Sequence, residues 1–211
     1  MYTKKQKPES GIEELVEKDG EHYILSNNHV IADSNNGVKN VDAVIQPGTS
    51  DGGSSPADDI AVLSDFKDID FTGASNDIDA AIAKVGAATQ TIIDPAIIDI
   101  GLPKTTPKTA MLYQSVRKHG RTTGHKVGVI TDLSANIWVG YGPGKTAWFT
   151  DQIAVTGIGY TNFSSGGDSG SLIVDAVSLE PVALLFAGGN ILTFANPIDL
   201  VLSYFGVTIV P

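Results

Sequence analysis

NFSSGGDSGSLIVD, residues 162–175, sets two glycines before a serine, one glycine after it and an apolar strand directly beyond. Gly166 and Gly167 free the backbone to turn tightly and to leave its amides uncovered, while Leu172-Ile173-Val174 ties the loop to a core. Such a loop displays one hydroxyl, that of Ser169, beside bare N–H donors. A plain hairpin turn has the same composition, so the rest of the chain has to decide between them.

The 211 residues are 42% apolar, enough for one large or two small domains with a proper core. Twenty-four acidic residues against fourteen basic ones give a net charge of −10, which works against the phosphate neutralisation that drives nucleic-acid binding, so no nucleic-acid partner is expected. The absence of cysteine excludes a disulfide framework, a thiolate metal site and a catalytic thiol. MYTKKQKPESGIEELVEKDG starts basic but has no apolar h-region, so no cleaved signal peptide is expected. This tips localisation towards the cytoplasm, although a leader on a longer chain would allow secretion. PVALLFAGGNILTFANPI is interrupted by Gly188, Gly189 and Asn190 and reads as two strands around a turn, so no membrane partner is expected either.

Most of the chain comes as short apolar runs bounded by Gly, Pro, Asn and Asp, the pattern of an all-β protein. ELVEKDGEHYIL reads as a hairpin turning at Lys18-Asp19-Gly20. VDAVIQ, DDIAVLSDF, DAAIAKV and TIIDPAIIDI follow as strands, and GLPKTTPKTA, residues 101–110, reads as a linker. The chain therefore divides into an N-terminal half, 1–102, and a C-terminal half, 103–211. One helix is expected at the C-terminus, with Asn196 as N-cap, Pro197 at the first helical position, Gly206 just past the end, and Ile198, Val201, Leu202 and Phe205 on its apolar face.

Acyl transfer needs a nucleophile, a base, a group that orients the base, and donors for the oxyanion. Ser169 is the candidate nucleophile, with the amides of Gly167 and Ser169 as the donors. Of His22, His29, His119 and His125, the best placed base is His29, where YILSNNHVIAD turns at the end of an apolar strand. Asp79, entering the strand DAAIAKV, is the preferred orienting carboxylate, and Asp77 on the same strand face is its rival. The order His29, Asp79, Ser169 is the chymotrypsin order, and with no histidine after Ser169 an α/β-hydrolase arrangement through this serine is excluded.

ILSNNHVIA, DIDAAIA and SSGGDSGSLIVD together resemble the His, Asp and Ser motifs of trypsin-like serine proteases of the chymotrypsin fold, in particular bacterial members without disulfides. RKHGRTTGHKVGVITDL is similar to the first hairpin region of the second barrel in those relatives. The resemblance implies two six-stranded β-barrels, one carrying His29 and Asp79 and one carrying Ser169, with a closing C-terminal helix. It implies a polypeptide substrate cleaved through an acyl-enzyme, with His29 moving the proton, Asp79 holding its tautomer, Gly167 and Ser169 forming the oxyanion hole, and neither metal nor cofactor.

The place that selects basic side chains in trypsin, six before the nucleophile, is Phe163 here. The resemblance therefore implies an apolar or small side chain at the cleaved bond, in a substrate-binding pocket formed by Phe163 with Gly188 and Gly189. Only 28 residues precede His29, so the first barrel is expected to lack a strand or to take one from a neighbouring chain, and an exposed edge would favour a homo-oligomer. No device near Ile12 resembles a cleaved amino terminus that could pair with Asp168, so no zymogen step is inferred.

Two other readings stay open: a catalytically inactive binding or scaffold module on the same fold, and an esterase-like or self-processing acyl transferase using the same residues. GYGPGKT, 140–146, lacks the spacing of a phosphate-binding loop and reads as a hairpin turn. The basic run 117–126 reads as a solvated turn.

Overall fold

The computed structural model describes residues 14–86, 89, 93–189 and 191–210. Two sheets, antiparallel except at β5, are built from β1 (Glu14–Lys18), β2 (Glu21–Ser26), β3 (Ala43–Ile45), β4 (Asp59–Phe66), β5 (Ser75–Asn76), β6 (Ala81–Val85), β7 (Ser115–Gly120), β8 (Gly124–Gly140), β9 (Thr146–Gly157), β10 (Leu172–Asp175), β11 (Pro181–Gly188), β12 (Leu192–Pro197) and β13 (Thr208–Ile209). Between β2 and β3 lies the single turn of helix α1 (Asn28–Ile31), and α2 (Ile198–Phe205) follows β12. Asp19 and Gly20 both take positive φ, the two-residue turn whose twist suits a tight hairpin, so β1 and β2 pair from Lys18↔Glu21 to Glu14↔Leu25.

The first sheet runs β13-β1-β2-β6-β4-β3. Its sixth strand comes from the far end of the same chain: Val16 pairs with Ile209 and Glu17 with Thr208, and the Val210 amide donates to the Leu15 carbonyl. The missing strand is thus supplied internally, and it covers the edge that β1 would otherwise expose. In the second sheet, β12-β11-β10-β7-β8-β9, an additional pairing of β12 with β9 closes the barrel, and β5 from the N-terminal half adds in parallel outside β9. The division at 102/103 is therefore crossed in both directions, by β5 and by β13. This is the all-β, two-barrel architecture of the chymotrypsin type, closed by a C-terminal helix.

Each barrel has its own interior, Leu15, Ile24, Ala61, Ala83 and Val85 in the first and Val116, Ile130, Val155, Ile173 and Leu185 among those in the second. A further cluster joins them, with Val16, Leu25 and Ile82 packing against Leu172, Leu184 and the buried face of α2, Ile198, Val201, Leu202 and Phe205. Burying such side chains contributes roughly 1.5–3 kcal/mol each, which fixes the relative placement of the barrels and so the width of the cleft between them.

Two local expectations shift. Helix α2 begins one residue later than expected: Pro197 occupies the N-cap position, while the Asn196 side chain turns inward to accept from the Asp79 amide and to donate to Gln152. Gly206 takes the left-handed conformation at the C-terminal end, as its position suggests. TIIDPAIIDI lies partly outside the described residues, and its described part, 93–100, forms turns and one isolated bridge, Ile97↔Gly101, because Pro95 lacks an amide and Asp99 and Gly101 take positive φ.

Candidate active site

His29 stands on α1, where β2 ends and the chain turns over the first barrel. Asp79 lies just before β6, fully buried, and its backbone is held on both sides: the Asn27 amide group donates to its carbonyl at 2.7 Å and its own N–H donates to Asn196 Oδ1 at 3.0 Å. Its carboxylate faces His29 twice, with the backbone N–H of His29 at 3.2 Å from Oδ1 and Nδ1 at 2.6 Å from Oδ2. Asp77, the rival, is largely exposed and lies 4.0 Å from Lys67, away from this pair.

Tyr141, at the turn between β8 and β9, was legible only as part of a hairpin. Its hydroxyl donates to Asp79 Oδ2 at 2.8 Å, and its ring meets His29 edge-on at a centroid distance of 5.7 Å. Burial, then the Asp79 charge and hydrogen bond, push the phenol far above its ordinary range, so it remains a donor at any working pH.

Ser169 sits in the loop between β9 and β10. Gly167 takes φ 95°, a conformation open to glycine, and a side chain there would strike Thr122. Among the described residues no backbone acceptor takes the amides of Gly167 or Ser169, whereas their neighbours Asp168 and Gly170 donate to Ser165 and Leu185. Both amides are therefore without a backbone partner beside the serine among the described residues. Ser169 Oγ makes no hydrogen bond among the described residues, and Ser169 and His29 both line the two cavities of the cleft.

The loop is clamped from below by Asp168, which with Lys118 is fully buried. Lys118 Nζ lies 2.9 Å from Asp168 Oδ2, Thr123 Oγ1 donates to the same oxygen at 2.6 Å, and the amides of Thr122, Thr123 and Ser165 complete its shell. Burial works to raise the Asp168 carboxyl, but the Thr123 and Lys118 hydrogen bonds and the Lys118 charge hold it below its usual range. Burial lowers Lys118, against the hydrogen bond and charge of Asp168. The basic run 117–126 is a solvated turn only at its tip, where Arg121 and Thr122 are exposed and Arg121 pairs with Asp51, Nε to Oδ2 at 2.6 Å; Lys118 is internal. Gly120 allows the approach, since a Cβ there would lie 2.6 Å from Asp168 Oδ1.

Two cavities open on either side of the His29–Ser169 pair. One, of about 790 Å³, is walled by residues 137–141 of the β8 hairpin, by 164–166 and by 185–189, including Gly188 and Gly189. No Asp, Glu, Lys or Arg among the described residues lines it. Next to Ser164 of this wall, Thr193 shares a buried hydroxyl pair with it, Oγ to Oγ1 2.6 Å. Phe163, expected at the pocket base, is instead 1% exposed in the second barrel's core with Val116, Ile130 and Val155, because its side chain points under Gly128 rather than into the cleft. The second cavity, of about 590 Å³, lies between Val30, Ile31 and Ile45 of the first barrel and Arg121 and Gly167 of the second.

Comparison with solved structures finds Thermobifida fusca protease A at TM-score 0.64 and 18% identity, covering 95% of this chain and 91% of that one. A serine protease described as specific for glutamic acid, with a novel histidine triad in substrate binding, matches at TM-score 0.63 and 20% identity over 93% and 90% of the two chains. Nocardiopsis protease matches at TM-score 0.62 and 14% identity over 93% and 90%. The chain thus has the chymotrypsin-type fold of these bacterial serine proteases. Comparisons with family models and with curated proteins find no match.

Proposed function

We propose that this double barrel is a serine endopeptidase. The observation that carries the reading is the pairing of half-buried His29 with buried Asp79, Nδ1 to Oδ2 2.6 Å, which leaves the other ring nitrogen free for Ser169 in the same cavity. In the reaction, Ser169 Oγ attacks the peptide carbonyl while His29 Nε2 takes its proton; Asp79 stabilises the imidazolium, and the Gly167 and Ser169 amides receive the oxyanion. The C–N bond then breaks, His29 returns the proton to the leaving amine, and water repeats the sequence on the acyl-enzyme. Cavities on both sides of the serine suit a chain that continues in both directions, hence internal cleavage.

The larger cavity supports an apolar or small residue at the cleaved bond: it offers no counter-charge, and Phe186, 2% exposed, stands in its wall. The glutamate-specific relative in the comparison uses a histidine triad in binding, whereas His29 is the only histidine that lines this cavity among the described residues. The test is intact-mass labelling with a fluorophosphonate. Wild type should gain one adduct, and Ser169→Ala, in which turnover should fall by about 10⁶, should gain none. A folded wild type that takes no label would overturn the proposal.

A further inference from the structure

Asp79 is hydrogen-bonded by the second barrel as well as by the histidine beside it. Tyr141 reaches it from the β8–β9 turn, 62 residues away in sequence, and its hydroxyl approaches the same oxygen, Oδ2, that accepts the His29 ring. The turn itself is fixed by the Tyr141 amide bonded to the Lys145 carbonyl at 2.9 Å, and the ring is held edge-on by Phe71 at 5.5 Å and beside Phe149 at 6.3 Å. The charged or titratable groups facing the phenol are Asp79 and His29; the next cation, Lys145, lies over the Phe71 ring at 5.3 Å.

We propose that Tyr141 is a positioning residue for acyl transfer, fixing the Asp79 carboxylate toward His29 and sharing its negative charge, so that the acid–base pair of the first barrel is completed only when the second barrel is docked. This rests on the reading given under Proposed function. With two donors on Oδ2 and the His29 amide on Oδ1, the carboxylate has one orientation, and that orientation aims the second ring nitrogen at the cavity holding Ser169. Because burial and the Asp79 charge keep the phenol protonated, its donation to Asp79 persists across the working pH range. Tyr141 also lines the larger cavity, so a bound chain packs against the residue that holds the acid.

The experiment compares wild type with Tyr141→Phe, which keeps the ring and removes the donor, and with 3,5-difluorotyrosine at position 141, a stronger donor of nearly the same shape. The His29 titration is followed by NMR, and fluorophosphonate labelling is followed as a rate against pH. Without the phenol the carboxylate charge falls wholly on the imidazolium, so Tyr141→Phe should raise the His29 midpoint by about half to one pH unit. Labelling should slow by roughly tenfold, the loss typical of one hydrogen bond to a charged group. The fluorinated residue should move the midpoint the other way. Coincident titrations in all three proteins would overturn the proposal, and so would shifts of one sign in both variants. If Tyr141→Phe does not fold, the fluorinated protein alone decides by the presence or absence of its downward shift. A wild type that takes no label sinks the endopeptidase reading by itself, while the His29 titrations still decide the role of Tyr141.

Discussion

Two buried aspartates stand on either side of the cleft, and their partners differ in kind. Asp79 is bound by His29, Tyr141 and one amide, none of them a permanent cation. Asp168 is bound by Lys118, by the Thr123 hydroxyl and by three amides. The Asp168 charge is satisfied before any substrate arrives, so it can anchor the serine loop and do little else. The charge of Asp79 has only a titratable partner, so its stabilisation grows when His29 takes a proton, which is what a base in acyl transfer requires. Burial is common to both sites; a fixed counter-charge at Asp168 and a titratable one at Asp79 set them apart.

The strongest way to break this contrast is to neutralise each acid's role in turn. Asp79→Asn keeps the shape and the backbone bonds but presents His29 with the wrong partner for its tautomer, and turnover should fall by about 10⁴ with a melting temperature near that of wild type. Turnover within tenfold of wild type would place the orienting charge elsewhere. Removing the clamp should read out in stability instead. Lys118→Met leaves the Asp168 carboxylate buried without its cation, a loss of about 3–5 kcal/mol in urea unfolding, and the double variant with Asp168→Asn should recover part of it. If Lys118→Met unfolds within about 1 kcal/mol of wild type, the neutral donors alone suffice and the contrast fails. The pH dependence has a definite sign: Asp168 is held below its unfolded value, so its contribution is complete above about pH 4 and is lost as the pH falls through the lower folded value.

What could be read beforehand and what could not follows the range of the interactions. Asp19-Gly20 was legible because a two-residue turn is decided by its own φ angles, and the buried stripe of α2 because its spacing is local. The serine loop, His29 and Asp79 each carried a local pattern, and their order along the chain linked them. Tyr141, Lys118 and Asn196 carried none: their partners Asp79, Asp168 and again Asp79 lie 62, 50 and 117 residues away. Lys118 was read as solvated because lysine usually is, and Asn196 as a helix cap because asparagine before proline usually is. Phe163 went wrong for the same reason, since a place counted back from the serine says nothing of which way a side chain turns out of the loop. The strand β13 is two residues long and pairs with β1 near the other end of the chain, a contact that no window of sequence contains.

Glu14 sharpens the comparison as a further buried carboxylate, one with no counter-charge among the described residues. It is 3% exposed opposite Leu25, on the strand face that packs between the barrels, and among the described residues neither side-chain oxygen has a hydrogen bond of good geometry, the Leu15 amide being its nearest, poorly aligned donor. Burial pushes its carboxyl well above the usual range, and the Leu15 amide only partly opposes this. The sign is the reverse of that at Asp168: the folded state holds the proton more tightly than the unfolded state, so stability falls as pH rises from the ordinary glutamate value towards the raised folded one. Glu14→Gln removes that slope and should stabilise the protein at neutral pH by about 1–3 kcal/mol, a few degrees in Tm, with little change near pH 4. An equal gain at both pH values would mean that packing rather than charge sets the cost, and a loss at neutral pH would mean that Glu14 has a partner in the folded protein.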